Sequence, residues 1–167
     1  LCRAEINRSE MKGRSQNGED GVLLYIFSRI GTTTRRFVEI GVGDGKECNT
    51  GNLCINFGWS GLMVEANPDN VCSAKRYYGT VLRSRSADIS VVRSHVTSEN
   101  INETLRQNGM KGNIDLLSID IDGNDFWVWK AIDVIQPRVV VIEYNASFGP
   151  EESLTIPYDP DSCGAWA

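Results

Sequence analysis

The chain has 167 residues, 41% of them hydrophobic, and a formal net charge of -5 at pH 7. This length allows one domain with a buried core and is too short for two ordinary domains. The net negative charge does not favour binding to nucleic acid or to an anionic membrane surface. No apolar run reaches the roughly 18 residues of a membrane span. The expected partner is therefore a small molecule or a sugar.

The N-terminal part is predicted to begin with an arm and to continue with a helix. Residues 1–14 are polar and charged without a hydrophobic period, so an irregular arm is expected there. Glu19 and Asp20 then suit the first turn of a helix, because acids favour the positive end of its dipole, and Gly31 is placed to end it.

Residues 37–50 predict a strand, a tight loop and the start of a helix. Gly41, Gly43 and Gly45 alternate after the apolar run, as glycines do where the backbone takes positive φ or lets a ligand come close. Loop amides and a helix N-terminus favour negatively polarised groups, so a nucleotide-like ligand is the first hypothesis. A glycine-rich turn without a ligand is the alternative. A dinucleotide is disfavoured, because the third glycine of G-x-G-x-x-G would fall on Lys46.

A second apolar strand is predicted at residues 61–66, with Glu65 near its C-terminal end. Glu65 follows the glycine loop by about 20 residues, the separation at which an acid can accept hydrogen bonds from ribose hydroxyls in a βαβ nucleotide site. A solvated residue at a strand end is the alternative interpretation. Asn67 and Pro68 then predict a helix start, and Gly79 its end.

The rest of the chain continues to alternate between strand and helix patterns. The predicted elements are a short third strand at 80–82, a helix at 98–108, a fourth strand at 115–122, a helix from Asn124 broken by Pro137, and a fifth strand at 138–145.

Strands that alternate with helices predict an α/β, Rossmann-like, doubly wound and mainly parallel sheet of about five strands. Ligands bind such sheets beyond the carboxyl ends of the strands. The glycine loop, Glu65, Asp88, residues 120–125 and Glu143 are all expected at that edge. Residues 15–146 are expected to form this domain and residues 147–167 an irregular tail.

The pattern Glu39-x-Gly41-x-Gly43-x-Gly45 resembles the first motif of class I S-adenosylmethionine-dependent methyltransferases. The resemblance implies that the loop passes under the methionyl part of S-adenosylmethionine, with Glu39 among the cofactor-binding residues. It also implies that an acid after the third strand takes the adenine amino group, and Asp88 is the candidate. The class I sheet normally ends with a helix and an antiparallel hairpin, which residues 147–167 are not expected to supply.

The chain also resembles the FkbM-like methyltransferases over residues 15–159. The motifs that carry this resemblance are SQNGED at 15–20, FVEIG at 37–41, NT at 49–50, SIDIDGND at 118–125 and IEYN at 142–145. It implies methyl transfer, often to oxygen on sugars or other small metabolites.

Methyl transfer to a hydroxyl needs an in-line approach and a base that takes the proton. Asp120 and Asp122, two residues apart at a strand end, are expected to point the same way. Asp122 is the predicted base, and Asp120 is predicted to lie near the cofactor. His95 is interpreted as an ordinary surface residue in a polar loop.

The acidic residues leave other hypotheses open. Asp120, Asp122, Asp125 and Glu143 could bind a divalent cation through oxygen ligands. Asp120-x-Asp122 could also be the D-x-D of a metal-dependent glycosyltransferase that uses nucleotide sugars, although such an enzyme does not need the glycine loop. Asn124 and Asp125 could simply cap a helix. A further alternative is a non-catalytic or incomplete Rossmann-like module that serves in interaction.

The number and spacing of the cysteines indicate the redox state of the compartment in which the protein is found. Cys2, Cys48, Cys54, Cys72 and Cys163 are odd in number and form no C-x-x-C pair, which favours reduced thiols over a disulfide framework. Reduced thiols and the implied cofactor favour the cytoplasm, and a targeting segment upstream of the first residue would change that expectation.

Overall fold

The computed structural model describes residues 3–83, 87–145, 147 and 153–161. The strands of this part of the chain are β1 (Arg36–Ile40), β2 (Ser60–Glu65), β3 (Ile89–Arg93), β4 (Gly112–Ile119) and β5 (Ile135–Ile142). Its helices are α1 (Arg3–Asn7), α2 (Glu19–Ile30), α3 (Gly51–Phe57), α4 (Pro68–Val81), α5 (Ile101–Gln107) and α6 (Asp125–Ala131).

The five strands form one sheet in the order β3-β2-β1-β4-β5, and every neighbouring pair is parallel. The chain builds outward from β1 to β3 and then returns to the other side of β1 with β4. This reversal is a topological switch point, where ligands of open α/β sheets bind. The prediction of a Rossmann-like, doubly wound sheet of five strands is confirmed.

Side chains of the central strands alternate between two hydrophobic clusters. Phe37 packs with residues of α2, α3 and α4, whereas its neighbour Val38 packs with residues of α5 and α6. Successive side chains of a strand point to opposite faces, so the sheet is covered on both faces. This explains why the central strands are almost continuously apolar.

The predicted third strand at residues 80–82 is wrong. Helix α4 continues through Gly79 to Val81, and the third strand is β3, which begins at Ile89. Tyr78 is buried in the core and Val81 packs against the same cluster, so packing outweighs the weak helix propensity of glycine. Because β3 lies at an edge of the sheet, only Val91 among its residues is fully buried.

The fourth and fifth strands are confirmed, but they occupy 112–119 and 135–142, three residues earlier than predicted at each end. Pro137 lies inside β5 and does not break a helix, because α6 already ends at Ala131. Proline is tolerated there because β5 is an edge strand. Asp120 and Asp122 therefore lie in the turn after β4 and not within the strand.

The predicted N-terminal arm is not irregular throughout, since it contains α1. The Tyr25 hydroxyl donates to Glu5 (2.8 Å) and joins α1 to α2. Asp20 organises the loop between these helices, because its buried carboxylate accepts hydrogen bonds from the main-chain N–H groups of residues 13–15.

The predicted tail forms no helix or strand in its described residues, which are 147 and 153–161. The remainder of the tail, together with Cys2 and Cys163, lies outside the described residues. Of the other cysteines, Cys48 and Cys54 are buried free thiols and Cys72 is an exposed one. Among the described residues, no helix combines the length and apolar character needed to cross a membrane.

Candidate functional site

The glycine loop lies at the carboxyl edge of the sheet, directly after β1. Gly41, Gly43 and Gly45 have φ values of 84°, 52° and 85°. A Cβ atom on Gly41 would lie 1.7 Å from the carbonyl oxygen of Asp120, and one on Gly45 would lie 2.9 Å from the Cβ of Ala74. Close packing therefore requires those two glycines. The space beside Gly43 is open, with no atom within 4 Å of such a Cβ.

Glu39 fixes the C-terminal end of this loop through hydrogen bonds to its carboxylate. Its carboxylate accepts hydrogen bonds from the N–H of Asn49 (2.7 Å), the N–H of Thr50 (3.0 Å) and the Thr50 hydroxyl. The residue is 4% exposed, so these contacts hold the end of the loop at the start of α3. A direct contact between Glu39 and a cofactor stays a prediction.

Glu65 is the last residue of β2 and joins that strand to the glycine loop. Its Oε2 accepts from the Gly43 N–H and its Oε1 from the Asn67 N–H, both at 2.8 Å. A carboxylate has about four lone-pair positions, so each oxygen can accept a further hydrogen bond. The expectation that the glycine loop and Glu65 meet at one edge of the sheet is confirmed.

A cavity of about 570 Å³ opens at this edge, between the loops that follow β1, β2, β3 and β4. Its volume lies within the range of small-molecule sites. The polar part of its lining includes the backbone of the glycine loop and the side chains of Glu65, Asn67, His95, Asp120 and Asp122.

Residues 120–124 form the turn that leads from β4 into α6. Asp122 has a φ of 53°, a left-handed conformation that aspartate adopts more readily than most residues. Both carboxylate oxygens of Asp125 are engaged, one by the Ile121 N–H and the other by the Gly123 N–H, each at 2.9 Å. Asp125 therefore braces the turn, and it is not one of the three carboxylates that lie close enough together to share a cation, which are Asp120, Asp122 and Glu143.

Asn124 does not cap α6, since its side chain makes no cap hydrogen bond. Its Nδ2 donates instead to the carbonyl oxygen of Asp159 (2.6 Å). The capping interpretation of Asn124 is therefore wrong, and the amide connects the cavity to the C-terminal segment.

Three carboxylates lie together, and two of them, Asp120 and Asp122, line the cavity. Oxygen atoms of Asp120, Asp122 and Glu143 are all within 4.8 Å of one another. Partial burial and the negative charge of Asp120 raise the pKa of Glu143 to about 7. Partial burial and the charges of Asp125 and Asp122 raise the pKa of Asp120. Protonation of Glu143 relieves the repulsion among these carboxylates.

Replacing Glu143 with glutamine is expected to stabilise the protein above pH 7 and to leave it unchanged in mild acid. A carboxyl group with a raised pKa in the folded state is disfavoured there once it ionises, so wild-type stability falls as the pH rises from the ordinary pKa of 4.5 towards 7. Because the residue is exposed, solvent screening limits the gain to about 1 kcal/mol. Urea unfolding at about pH 5 and about pH 8 measures it. An equal difference at both pH values would contradict the raised pKa.

The predicted adenine contact at Asp88 is wrong, because Asp88 precedes β3 and lies at the amino edge of the sheet. Its N–H donates to Ser60 Oγ (2.9 Å), and its carbonyl oxygen accepts from the Gly61 N–H (3.0 Å) at the start of β2. The residues that follow β3 and line the cavity are 94–96. The sequence signal for them is the run Ile-Ser-Val-Val of β3, in which three of the four residues are β-branched and whose end they follow.

Comparisons with known proteins give likenesses in structure alone. No protein-family model and no curated protein sequence matches the chain. An O-methyltransferase from Bacillus cereus in complex with SAH is 17% identical, with a TM-score of 0.48 over 80% of this chain and 57% of that chain. A putative protein-L-isoaspartate O-methyltransferase from Plasmodium falciparum, in complex with S-adenosyl-L-homocysteine, is 12% identical, with a TM-score of 0.45 over 83% and 67%. The N-terminal domain of EvdMO1 with SAH bound is 16% identical, with a TM-score of 0.43 over 78% and 60%. The chain thus spans 57% to 67% of these three chains.

Proposed function

We propose that the chain is a class I, FkbM-like methyltransferase domain that transfers a methyl group from S-adenosylmethionine to an oxygen atom of a sugar or another small metabolite. The observation that carries this proposal is the hydrogen bond from the Gly43 N–H to Glu65. It brings the glycine loop and the acid at the end of β2 into the wall of one cavity.

The residues of the cavity fit the cofactor in two ways. Gly43 leaves open space beside the backbone, which lets a ligand approach the loop. Glu65 retains acceptor capacity on both oxygens, so the two hydroxyls of a ribose can donate to it. S-adenosylmethionine, when bound, supplies an electrophilic methyl group on a sulfonium. Gly41, Gly43, Glu65 and Asp120 are the proposed binding residues, with Glu39 and Gly45 holding the loop in shape.

Asp122 is the proposed general base. It lines the cavity and is exposed, so an acceptor hydroxyl can reach it. Its carboxylate lies within 4.8 Å of those of Asp120 and Glu143, whose pKa values are raised by burial and by neighbouring negative charges. Taking the hydroxyl proton makes the acceptor oxygen a stronger nucleophile.

Calorimetric titration with S-adenosylhomocysteine, NAD and UDP-glucose with manganese tests this function against its alternatives. Saturable binding of S-adenosylhomocysteine alone is the expected result. Binding of UDP-glucose alone would support the glycosyltransferase hypothesis based on Asp120-x-Asp122, and binding of none would support the interaction module. Unchanged affinity for S-adenosylhomocysteine in EDTA is expected, since no cofactor contact proposed above involves a divalent cation.

Replacing Asp122 with asparagine tests the proposed base. We expect methyl transfer from radiolabelled S-adenosylmethionine to a panel of sugars to slow by at least about tenfold, because asparagine cannot accept the proton. Affinity for S-adenosylhomocysteine should stay unchanged. Asp88→Asn is the matched control, since Asp88 is an exposed aspartate at the opposite edge of the sheet. Equal rates for Asp122→Asn and wild type would contradict the role of Asp122.

A further inference from the structure

Strand β3 forms one edge of the sheet and is bonded to β2 on one side. Along a strand, main-chain groups of successive residues point alternately to one side and to the other. The Gly61 N–H donates to the Asp88 carbonyl oxygen (3.0 Å), and the Ser94 N–H donates to the Glu65 carbonyl oxygen (2.9 Å). The even-numbered residues of β3 therefore also bond to β2.

The odd-numbered residues of β3, which are Ile89, Val91 and Arg93, direct their main-chain N–H and C=O groups to the open side of the strand. Within the part of the chain that the structure describes, no other strand pairs with this side. A row of unpaired main-chain donors and acceptors is a template on which a further strand can pair. The edge of β3 is thus able to accept an extended segment.

A groove of about 490 Å³, called the β3 groove below, lies between this strand and the C-terminal half of α4. Its apolar part includes Leu82, Ile89 and Val91. All three belong to or pack against the hydrophobic cluster on the α4 face of the sheet. Side chains of a strand alternate between the two faces, so every second side chain of an added strand would lie over this groove.

The β3 groove is basic, although the whole chain carries a net charge of -5. Lys75 and Arg83 line it, and both side chains are exposed. Neither takes part in any of the ion pairs between described residues. Asp88 is the one carboxylate among the described lining residues, and the exposed Arg93 adds a positive charge at the end of β3. An acidic segment complements this charge.

The same charges disfavour a second copy of the chain as the occupant. Pairing of two β3 edges about a two-fold axis brings the same surface of both copies together. Lys75, Arg83 and Arg93 of one copy would then lie close to the same residues of the other. Like charges on paired strands are destabilising, and charged residues at a sheet edge prevent self-pairing in many proteins.

We propose that the edge of β3 and the β3 groove form a docking site for an extended, acidic segment of another protein. The segment adds as a strand beside β3, where its main chain bonds to the outward groups of Ile89, Val91 and Arg93. Its acidic side chains, at every second position, lie over the groove near Lys75 and Arg83. This inference does not depend on the proposed function.

Two fluorescein-labelled peptides test the chemistry of the site. One alternates glutamate and valine, and the other has lysine in place of glutamate. By fluorescence anisotropy at low ionic strength, we expect saturable binding of the glutamate peptide, at least about tenfold tighter than that of the lysine peptide. Methylation of the main-chain nitrogens of the glutamate peptide should abolish binding, because an added strand needs its N–H groups. Equal affinity for both peptides, or no binding of the glutamate peptide, would overturn the proposal.

Charge reversal tests the position of the site. The double variant Lys75→Glu, Arg83→Glu should bind the glutamate peptide about tenfold more weakly and the lysine peptide more tightly than wild type does. The matched control is Arg8→Glu, Lys111→Glu, which makes the same change in net charge at two exposed residues outside the groove. An equal effect of the two double variants would contradict docking at the β3 groove.

Amide hydrogen exchange tests the added strand. In the chain without peptide, the N–H groups of Ile89, Val91 and Arg93 should exchange faster than those of Ser90 and Val92, which bond to β2. The glutamate peptide should slow exchange of the first group alone. If that group is already protected without peptide, the chain itself covers the edge. If its protection rises with protein concentration, a second copy is the occupant. Either result would overturn the proposal.

Discussion

Replacing Glu65 with alanine is expected to weaken S-adenosylhomocysteine binding by about 100-fold or more. Glu65 is the proposed acceptor for both ribose hydroxyls, and hydrogen bonds to charged groups contribute roughly 1.5 to 3 kcal/mol each. The substitution also frees the N–H of Gly43, which Glu65 holds at 2.8 Å, so the glycine loop keeps only its main-chain bond from the Gly41 N–H to the Val64 carbonyl oxygen of β2 (2.9 Å). Calorimetric titration measures the change.

Two variants control for indirect effects of Glu65→Ala. Glu65→Gln keeps the size of the side chain and one acceptor oxygen, so it should retain part of the affinity. Asp88→Asn removes a carboxylate at the amino edge of the sheet and should bind as wild type does. A Glu65→Ala protein that is folded and binds with wild-type affinity would contradict the ribose role.

Replacing Asp115 with alanine is expected to cause the largest loss of stability, about 3 to 5 kcal/mol. Asp115 is fully buried in β4. Its carboxylate accepts from the N–H groups of Thr33 (2.9 Å), Thr34 (2.7 Å) and Arg35 (2.7 Å). It also pairs with Arg138 at 2.9 Å. Alanine would leave these donors without their acceptor and loosen the turn before β1. Urea unfolding at neutral pH measures the loss.

Asp133→Ala is the matched control for Asp115→Ala. Asp133 also pairs with an arginine, Arg106, but both side chains are exposed, at 72% and 53%, and the atoms are 3.4 Å apart. Exposed pairs of this kind contribute about 1 kcal/mol or less. A similar loss in both variants would contradict the special role of Asp115.

The effect of Asp115→Ala should also depend on pH. Burial alone would raise the pKa of Asp115, but the bond from Arg138 and the N–H groups of Arg35, Thr33 and Thr34 lower it below the ordinary value of 3.8. A group with a lowered pKa stabilises the folded state above its unfolded pKa, and this contribution is lost as the pH falls towards the lowered value. The difference between variant and wild type should therefore shrink in acid.

The sequence predicts that the glycine loop and Glu65 meet at one edge of the sheet, because the signals for both are local. Gly41 in the alternating glycines after β1 is required by close backbone packing, because a side chain there would clash with the carbonyl oxygen of Asp120. The spacing to Glu65 follows from the length of a strand–helix–strand unit. Parallel topology then brings both features to the same edge.

The errors arise where a local signal competes with tertiary packing. Gly79 and the apolar residues after it predict a helix end and a strand. Helix α4 nevertheless continues to Val81, because its buried side chains pack in the core. Because the third strand is predicted too early in the chain, Asp88 is wrongly expected at the carboxyl edge of the sheet. For the same reason, residues 94–96, which do follow β3, are not predicted to line the cavity. The edge position of β3 also weakens its own signal, because its side chains are only partly buried.

The contacts between residues 153–161 and the rest of the domain could not be predicted from sequence patterns. Residues 153–161 lack hydrophobic periodicity, and their attachment runs largely through main-chain carbonyl groups, which every residue possesses. Whether such contacts form depends on the position that the rest of the fold gives to this segment. The position of His95 beside Pro160 is a result of this kind.

A crystal structure of the chain with S-adenosylhomocysteine is the most direct test of the proposed cofactor site. We expect both ribose hydroxyls within hydrogen-bond distance of Glu65 and the homocysteine moiety along Gly41 and Gly43. A ligand bound at another edge of the sheet, or in this cavity without contact to Glu65, would contradict the proposed function.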